Sequence, residues 1–191
     1  MRLQFGLPDD LRAEAAALYW QAFGGKLGRV LGPDRLALAY VERVMRADHC
    51  IAAIGNDGLI GIAGFKTDQG SFAGGTAADM YGVYGRIGGA WRSGLMQLLG
   101  GDGDSSRFLI DGLCVRQGAR GQGVGSALLA ALCTEARIRG HASIRLDVVD
   151  TNPRARALYE RNGFVLDRST PIGPLRFVFG YRAAHSMVRA L

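Results

Sequence analysis

Three features of the sequence predict an α/β (α+β) fold. Cys50–Ile54 and Leu59–Phe65 are apolar runs of strand length on either side of Asn56-Asp57-Gly58, which is hairpin chemistry. Phe108–Val115 and Ser143–Val149 are two further strand-like runs, separated by a helical stretch from Ser126 to Arg139. That order makes a βαβ unit with parallel or near-parallel strands and a right-handed crossover. Alanine-rich segments of helical periodicity precede the hairpin.

Taken in order, Leu3–Leu7 reads as a first strand closed by Pro8-Asp9-Asp10. Leu11–Phe23 reads as a helix, with Asp9 or Asp10 as N-cap and Gly24-Gly25 as its stop. Pro33–Met45 repeats the scheme with apolar Leu36, Leu38, Tyr40, Val41 and Val44. Gly140 ends the helix of the βαβ unit. Asn152-Pro153 then opens another helix, asparagine as N-cap and proline in the first turn, which ends at Asn162-Gly163. Phe164–Arg168 and His185–Ala190 read as closing strands joined by a Pro/Gly-containing loop, Ser169–Gly180. The expected organisation is one domain over residues 1–191, with a helical insert at about 68–106.

That insert carries Met80, Val83, Tyr84, Ile87, Trp91, Leu95 and Leu98 at helical spacing. Gly82, Gly85, Gly88, Gly89 and Gly94 interrupt the same stretch. At about 1 kcal/mol each relative to alanine, they weaken a helix by roughly 4–5 kcal/mol. Gly82, Gly85 and Gly89 share one helical face, which suits close backbone approach to a neighbour. The insert is a lid over an acceptor cleft, part of a homodimer contact, or an ordinary packed segment.

Composition narrows the function. Hydrophobic content of 48% with 21% charged residues reads as a globular protein. Asp9, Asp10 and Arg12 break up the N-terminal segment, so no secretory signal is read, and no apolar run spans a bilayer. Cys50, Cys114 and Cys133 are odd in number and lack ligand spacing. They read as reduced core residues of a cytoplasmic protein that has no metal site. The net charge of +6 comes from basic residues scattered along the chain. A nucleic-acid surface would cluster them among aromatics, so the pattern argues against such a partner, although it would attract an anionic ligand.

The most informative stretch is Leu113-Cys-Val-Arg-Gln-Gly-Ala-Arg-Gly-Gln-Gly-Val-Gly-Ser126. A strand delivers glycines Gly121, Gly123 and Gly125 onto a helix N-terminus, where unpaired amides and the helix dipole hold phosphate. Arg120 adds a fork of charged donors. The spacing does not match a P-loop, which needs a lysine, nor a Gly-x-Gly-x-x-Gly fingerprint, since Ser126 takes the last glycine position.

Arg120-x-x-Gly123-x-Gly125 resembles the acetyl-CoA signature Gln/Arg-x-x-Gly-x-Gly/Ala of the GNAT superfamily of N-acyltransferases. The lead-in Leu113, Val115, Arg120 and Gly121 matches too, with Gln117 where the family usually has proline. Asn152-x-x-Ala155-x-x-Leu158-Tyr159-x-x-x-Gly163-Phe164 resembles a second motif of that family, in the right order. The resemblance is strong over 107–165. It implies a mixed, mostly antiparallel sheet of about six to seven strands with a central splayed parallel pair flanked by helices. It also implies acetyl-CoA as cosubstrate: the backbone of Leu113, Cys114 and Val115 would pair with pantetheine, and Arg120, Gly121, Gln122, Gly123, Val124, Gly125 and Ser126 would hold the pyrophosphate. Val124 then counts as a loop residue through its amide. Asn152 has two compatible roles, helix cap and cofactor contact.

The implied reaction moves an acetyl group to a primary amine on a small molecule or peptide by direct attack on the thioester. The alternative is a non-catalytic acyl-CoA-binding sensor of the same fold. A lysine-type amine of pKa near 10.4 is neutral about once in 2,500 molecules at pH 7, a cost of roughly 4–5 kcal/mol; an α-amine costs only about 1 kcal/mol. Tyr159 matches the family's tyrosine facing the sulfur. Full proton transfer from a phenol to a thiolate is uphill by about 2 kcal/mol, so hydrogen bonding to the thiolate is as reasonable a role as general acid. Packing in the core is the alternative for Tyr159. For the base, Asp111 is preferred, a carboxylate inside an otherwise apolar strand, the setting in which an acid is tuned for proton transfer. A solvated or salt-bridged aspartate is the competing reading, and Asp147 and Glu160 are secondary candidates.

Overall fold

The computed structural model describes residues 1–99 and 108–191. The part of the insert from 100 to 106 lies outside the described residues, as does the Leu98 side chain. The described strands are β1 (Arg2–Phe5), β2 (Cys50–Gly55), β3 (Gly58–Thr67), β4 (Gly70–Ser71), β5 (Phe108–Val115), β6 (Ser143–Val149), β7 (Val165–Pro171) and β8 (Ala183–Ala190). They form one sheet in the order β1-β2-β3-β5-β6-β8-β7, with β4 paired to β3. Every pairing is antiparallel except β5 with β6. The expected mixed, mostly antiparallel sheet is present. Its eighth member is the two-residue β4, too short to leave a periodic signal.

Helices α1 (Arg12–Leu31), α2 (Asp34–Val44) and α3 (Ala77–Leu99) belong to one side of the sheet, and α4 (Val124–Ile138) and α5 (Pro153–Arg161) to the other, while the short α6 (Arg176–Phe179) lies against α1. Two cores result. Leu18, Tyr19, Val41, Ile62 and Phe72 fill the first. Phe65, Phe108, Leu128, Leu132, Ile144 and Phe164 fill the second. Burying a leucine or phenylalanine of this size contributes roughly 1.5–3 kcal/mol, so the α4 stripe Leu128, Leu129, Leu132 and Ala136 fixes that helix on the sheet.

Several expectations change. Gly24-Gly25 does not stop α1, which runs on to Leu31. Val30 and Leu31 are buried, and Arg92 donates to the carbonyls of Val30 and Gly32 at 2.7 and 2.9 Å, holding the extended end in place. Neither Asp9 nor Asp10 caps α1; both lie in a 3-10 turn, and Leu11 stands at the cap without a side-chain hydrogen bond. The 169–180 stretch is more ordered than a loop, since β7 extends to Pro171 and α6 forms before Gly180.

The insert is helical but broken. Gly85 adopts φ 70°, ψ 176°, which splits α3 in two. Gly82, Gly85 and Gly89 therefore do not share one continuous face. The second half folds against the first, so that a β-carbon on Gly89 would lie 2.9 Å from the Met80 carbonyl carbon. Tyr84 donates to the Leu31 carbonyl, and the Arg92 guanidinium stacks on the Tyr84 ring at 4.1 Å. Those contacts fasten α3 to the end of α1.

Candidate active site

The site begins where β5 and β6 part. Phe108, Leu109 and Ile110 face Ile144, Arg145 and Leu146 in parallel register, and the pairing stops there. Beyond that point β5 pairs only with β3, and β6 only with β8. Gly112 faces Gly64 and Ile110 faces Phe65, so Asp111 is an extra residue in a bulge. The bulge exchanges the faces of the strand. Ile110 belongs to the α4-side core, whereas Cys114 belongs to the α1-side core. The β6-facing edge of 111–115 is thus left without a neighbouring strand, and on it the Val115 carbonyl accepts from the Arg120 side chain.

Between the parted strands lies a cleft of about 130 Å³. Phe23 and Lys26 of α1, Asp111 and Leu113 of β5, Asp147 of β6, and Asn152, Leu158 and Tyr159 of the α5 segment are among its walls.

The glycine loop forms one rim. Gly121 and Gly123 have φ of 78° and 81°, and nothing lies within 4 Å of where their β-carbons would be. They are glycines for backbone reasons, and they leave open space above the loop. Gly123 caps α4, and the first backbone bond of the helix runs from the Ala127 amide to the Gly123 carbonyl at 3.0 Å. Among the described residues, the amides from Gly121 to Ser126 have no backbone acceptor. Together with the dipole of a 15-residue helix they concentrate positive potential at the rim, an arrangement suited to an anion. Exposed Arg120 donates through Nε to the Val115 carbonyl at 3.1 Å, and Gln122 donates to the Gly118 carbonyl at 2.9 Å, which shapes the turn. Val124 departs from its loop assignment: it is the first helical residue, and its side chain is buried in the α4-side core. Its amide stays on the rim. Ser126 accepts a hydrogen bond from Asn162 Nδ2 at 3.1 Å, tying the start of α4 to the end of α5.

Tyr159 is held by the helix end beyond it. The Phe164 amide donates to the Tyr159 carbonyl at 3.1 Å and the Gly163 amide to the Glu160 carbonyl at 3.0 Å, with Gly163 at φ 81°. This paired closure requires the left-handed glycine, and it brings Phe164 edge-on to the Tyr159 ring at 6.1 Å. Asn152 accepts from the Ala155 amide at 3.2 Å, so its capping role is present at the other end of α5. Tyr159 is 8% exposed, and its hydroxyl has no hydrogen-bond partner among the described residues. Burial, then the nearby Cys114 sulfur, push its pKa up to about 12. It remains a proton-bearing phenol through the neutral range.

Asp111 is anchored on one oxygen. Its Oδ2 accepts from the Ser71 hydroxyl and, at 2.9 Å, from the Ala73 amide. Its Oδ1 has no partner among the described residues. Asp147 pairs with Arg145 at 3.3 Å. Glu160 pairs with Arg156 on the surface of α5 and does not line the cleft.

The site therefore brings Asp111, Leu113, Asn152 and Tyr159 to one cleft and sets residues 120–126 at its rim. Sequence reasoning missed Phe23, Lys26, Ser71 and Asn162. A signal existed for Lys26, one of two lysines in a chain with 23 Lys and Arg residues. Several arginines that raise the net charge are occupied within the fold: Arg12, Arg46 and Arg92 donate to backbone carbonyls. Among the described residues, no three His, Cys, Asp or Glu side chains are grouped to hold a metal, and no helix is long and apolar enough to cross a membrane.

The family model described as Acetyltransferase (GNAT) family matches residues 14–164. No curated protein sequence is significantly similar to the chain. Among solved structures, a ribosomal-protein-alanine N-acetyltransferase from Brucella melitensis superposes with a TM-score of 0.66 at 17% identity, covering 100% of each chain. An N-acetyltransferase from Staphylococcus aureus Mu50 gives 0.66 at 15% identity, covering 98% of this chain and 100% of its own. A putative streptothricin acetyltransferase from Bacillus anthracis, in complex with acetyl coenzyme A, gives 0.54 at 15% identity, covering 79% of this chain and 68% of its own. At these identities the likeness is one of fold.

Proposed function

The chain belongs to the acetyltransferase (GNAT) family, and on that premise we propose that it transfers an acetyl group from acetyl-CoA to a primary amine by direct attack on the thioester. The observation that carries the proposal is the end of β5–β6 pairing at Ile110–Leu146, with a rim of unbonded amides on one side and Tyr159 in the gap.

Acetyl-CoA, as cosubstrate, supplies an activated acyl thioester. The amides of Gly121–Ser126 and the Arg120 guanidinium bind its diphosphate, each charge-assisted bond contributing on the order of 1.5–3 kcal/mol. The free edge of Leu113–Val115 takes the place of a neighbouring strand against the pantetheine amides. Asn152 borders that channel while capping α5. Tyr159 donates a hydrogen bond to the departing sulfur. Its raised pKa favours donation without surrender of the proton. Asp111 Oδ1 orients the acceptor amine and receives its proton, while Ser71 and Ala73 hold Oδ2 in place. The acceptor is a small-molecule or peptide amine, and a cytoplasmic location fits a chain whose three cysteines are free and buried.

The test is release of coenzyme A thiol from acetyl-CoA with a panel of primary amines that includes peptides with free α- and ε-amines. Turnover with at least one class supports the proposal. Binding of acetyl-CoA without thiol release above hydrolysis, for every amine, replaces it with the acyl-CoA-binding module.

A further inference from the structure

We infer that Lys26 is itself an acetyl acceptor, so that the chain modifies its own Lys26 Nζ from an acyl thioester bound in the parted-strand cleft. The inference rests on the reading of that cleft given above.

The choice of residue is informative. The chain has only two lysines among 23 Lys and Arg residues, so a cation placed merely for charge would be expected to be arginine. One of the two, Lys66, is exposed on β3 away from the cleft. The other, Lys26, lines the same cavity as Asp111, Leu113 and Tyr159. Lysine can give up its proton and act as a nucleophile, whereas arginine keeps its charge.

The surroundings of Lys26 suit that chemistry. It is half-buried on α1, and its Nζ lies 5.9 Å from the Phe23 ring centroid. Among the described residues no carboxylate pairs with it. The cause that moves its pKa is burial, which lowers it from the ordinary lysine value. An ammonium with no ion pair on a flexible four-carbon stem, already at the cleft wall, gives up only its contact with the Phe23 ring in reaching further in. By contrast, Arg12 and Arg92 are each committed to two or more hydrogen bonds.

The step needs only the amine and the thioester. Neutral Nζ attacks the carbonyl carbon, a C–N bond forms, and the C–S bond breaks with its electron pair leaving on sulfur. Of the two protons on the neutral amine, one stays on the amide nitrogen and the other ends on the coenzyme A thiol. The product removes a positive charge from the α1 wall of the cleft.

The experiment incubates the full chain with acetyl-CoA and no added amine, follows intact mass, and maps the modified residue by peptide analysis. Binding of acetyl-CoA is measured on the same sample. The expected result is gain of one acetyl group, located on Lys26, at a rate independent of protein concentration. The gain should be lost in Lys26→Arg, retained in Lys66→Arg and absent from heat-denatured protein. Acetyl-CoA binding or turnover of added amines with Lys26 left unmodified overturns this inference alone. So does acetylation of Lys66 as fast as Lys26, which indicates uncatalysed chemistry, or a rate that rises with protein concentration. Failure to bind acetyl-CoA overturns the inference together with the proposed function.

Discussion

Gly125 of α4 and Leu158 of α5 are so close that a β-carbon on the glycine would lie 3.0 Å from Leu158 Cδ2. That contact, with the Asn162–Ser126 hydrogen bond, sets the position of the glycine-loop rim against the helix that carries Tyr159. Alanine at Gly125 gains about 1 kcal/mol of helix propensity but presses on a flexible side-chain tip. Gly125→Ala should therefore leave stability nearly unchanged. Gly125→Val should cost about 1–3 kcal/mol through overpacking and weaken acetyl-CoA binding as the two helices separate. Urea unfolding and calorimetry read the two effects independently.

Tyr159→Phe should lower kcat by about 10²-fold, within the range for losing a hydrogen-bond donor to developing charge, and leave acetyl-CoA affinity nearly unchanged. The ring still packs on Phe164, so stability should change little. Steady-state kinetics with binding on the same variant checks this. Unchanged kcat returns Tyr159 to core packing.

Asp111→Asn should reduce kcat by about 10-fold or more, and more with lysine-type amines than with weakly basic ones, which arrive largely neutral. Ser71→Ala removes only one bond to Oδ2, so a loss of about 1 kcal/mol in stability and a smaller kinetic effect are expected. Equal effects of Asp111→Asn on strongly and weakly basic amines contradict a proton-accepting role.

Alkaline pH should destabilise the fold. Burial pushes the Cys50 and Cys114 thiols up to about 12 from an ordinary 9.0, and the Tyr159 phenol up to about 12 from 10.0. The folded state holds these protons more tightly than the unfolded chain. Their contribution is therefore complete below about pH 9 and is lost as pH rises toward 12. Urea midpoints at steps from pH 8 to 11 should fall progressively, and less steeply in Cys114→Ala.

Much of the fold was legible because its strongest signals are local. Phe108–Val115 and Ser143–Val149 match the observed strands at both ends, since each is a largely apolar run of strand length. The closures at Gly140 and Gly163 were readable for the same reason: a left-handed glycine ends a helix from within its own few residues. What failed depended on distant partners. Gly24-Gly25 looked like a stop, yet α1 continues because Arg92, some sixty residues on, binds its terminal carbonyls. The break at Gly85 was one of five glycine positions with equal local claim. Within the site, the glycine loop and Tyr159 were visible as motifs. The grip of Ser71 and Ala73 on Asp111 was not, because it spans about forty residues and has no sequence period.

The central claim is that backbone donors after Arg120 hold the diphosphate of acetyl-CoA. Isothermal titration of acetyl-CoA into the full chain, with Gly123→Val in parallel, tests it most directly. Valine at φ 81° costs about 1–2 kcal/mol of local strain and fills the open space above the loop. The account predicts saturable binding by the unmodified chain, and weakening by about 10-fold or more in the variant while it stays folded. No binding heat from the unmodified chain, or equal affinity in a folded Gly123→Val, would contradict it.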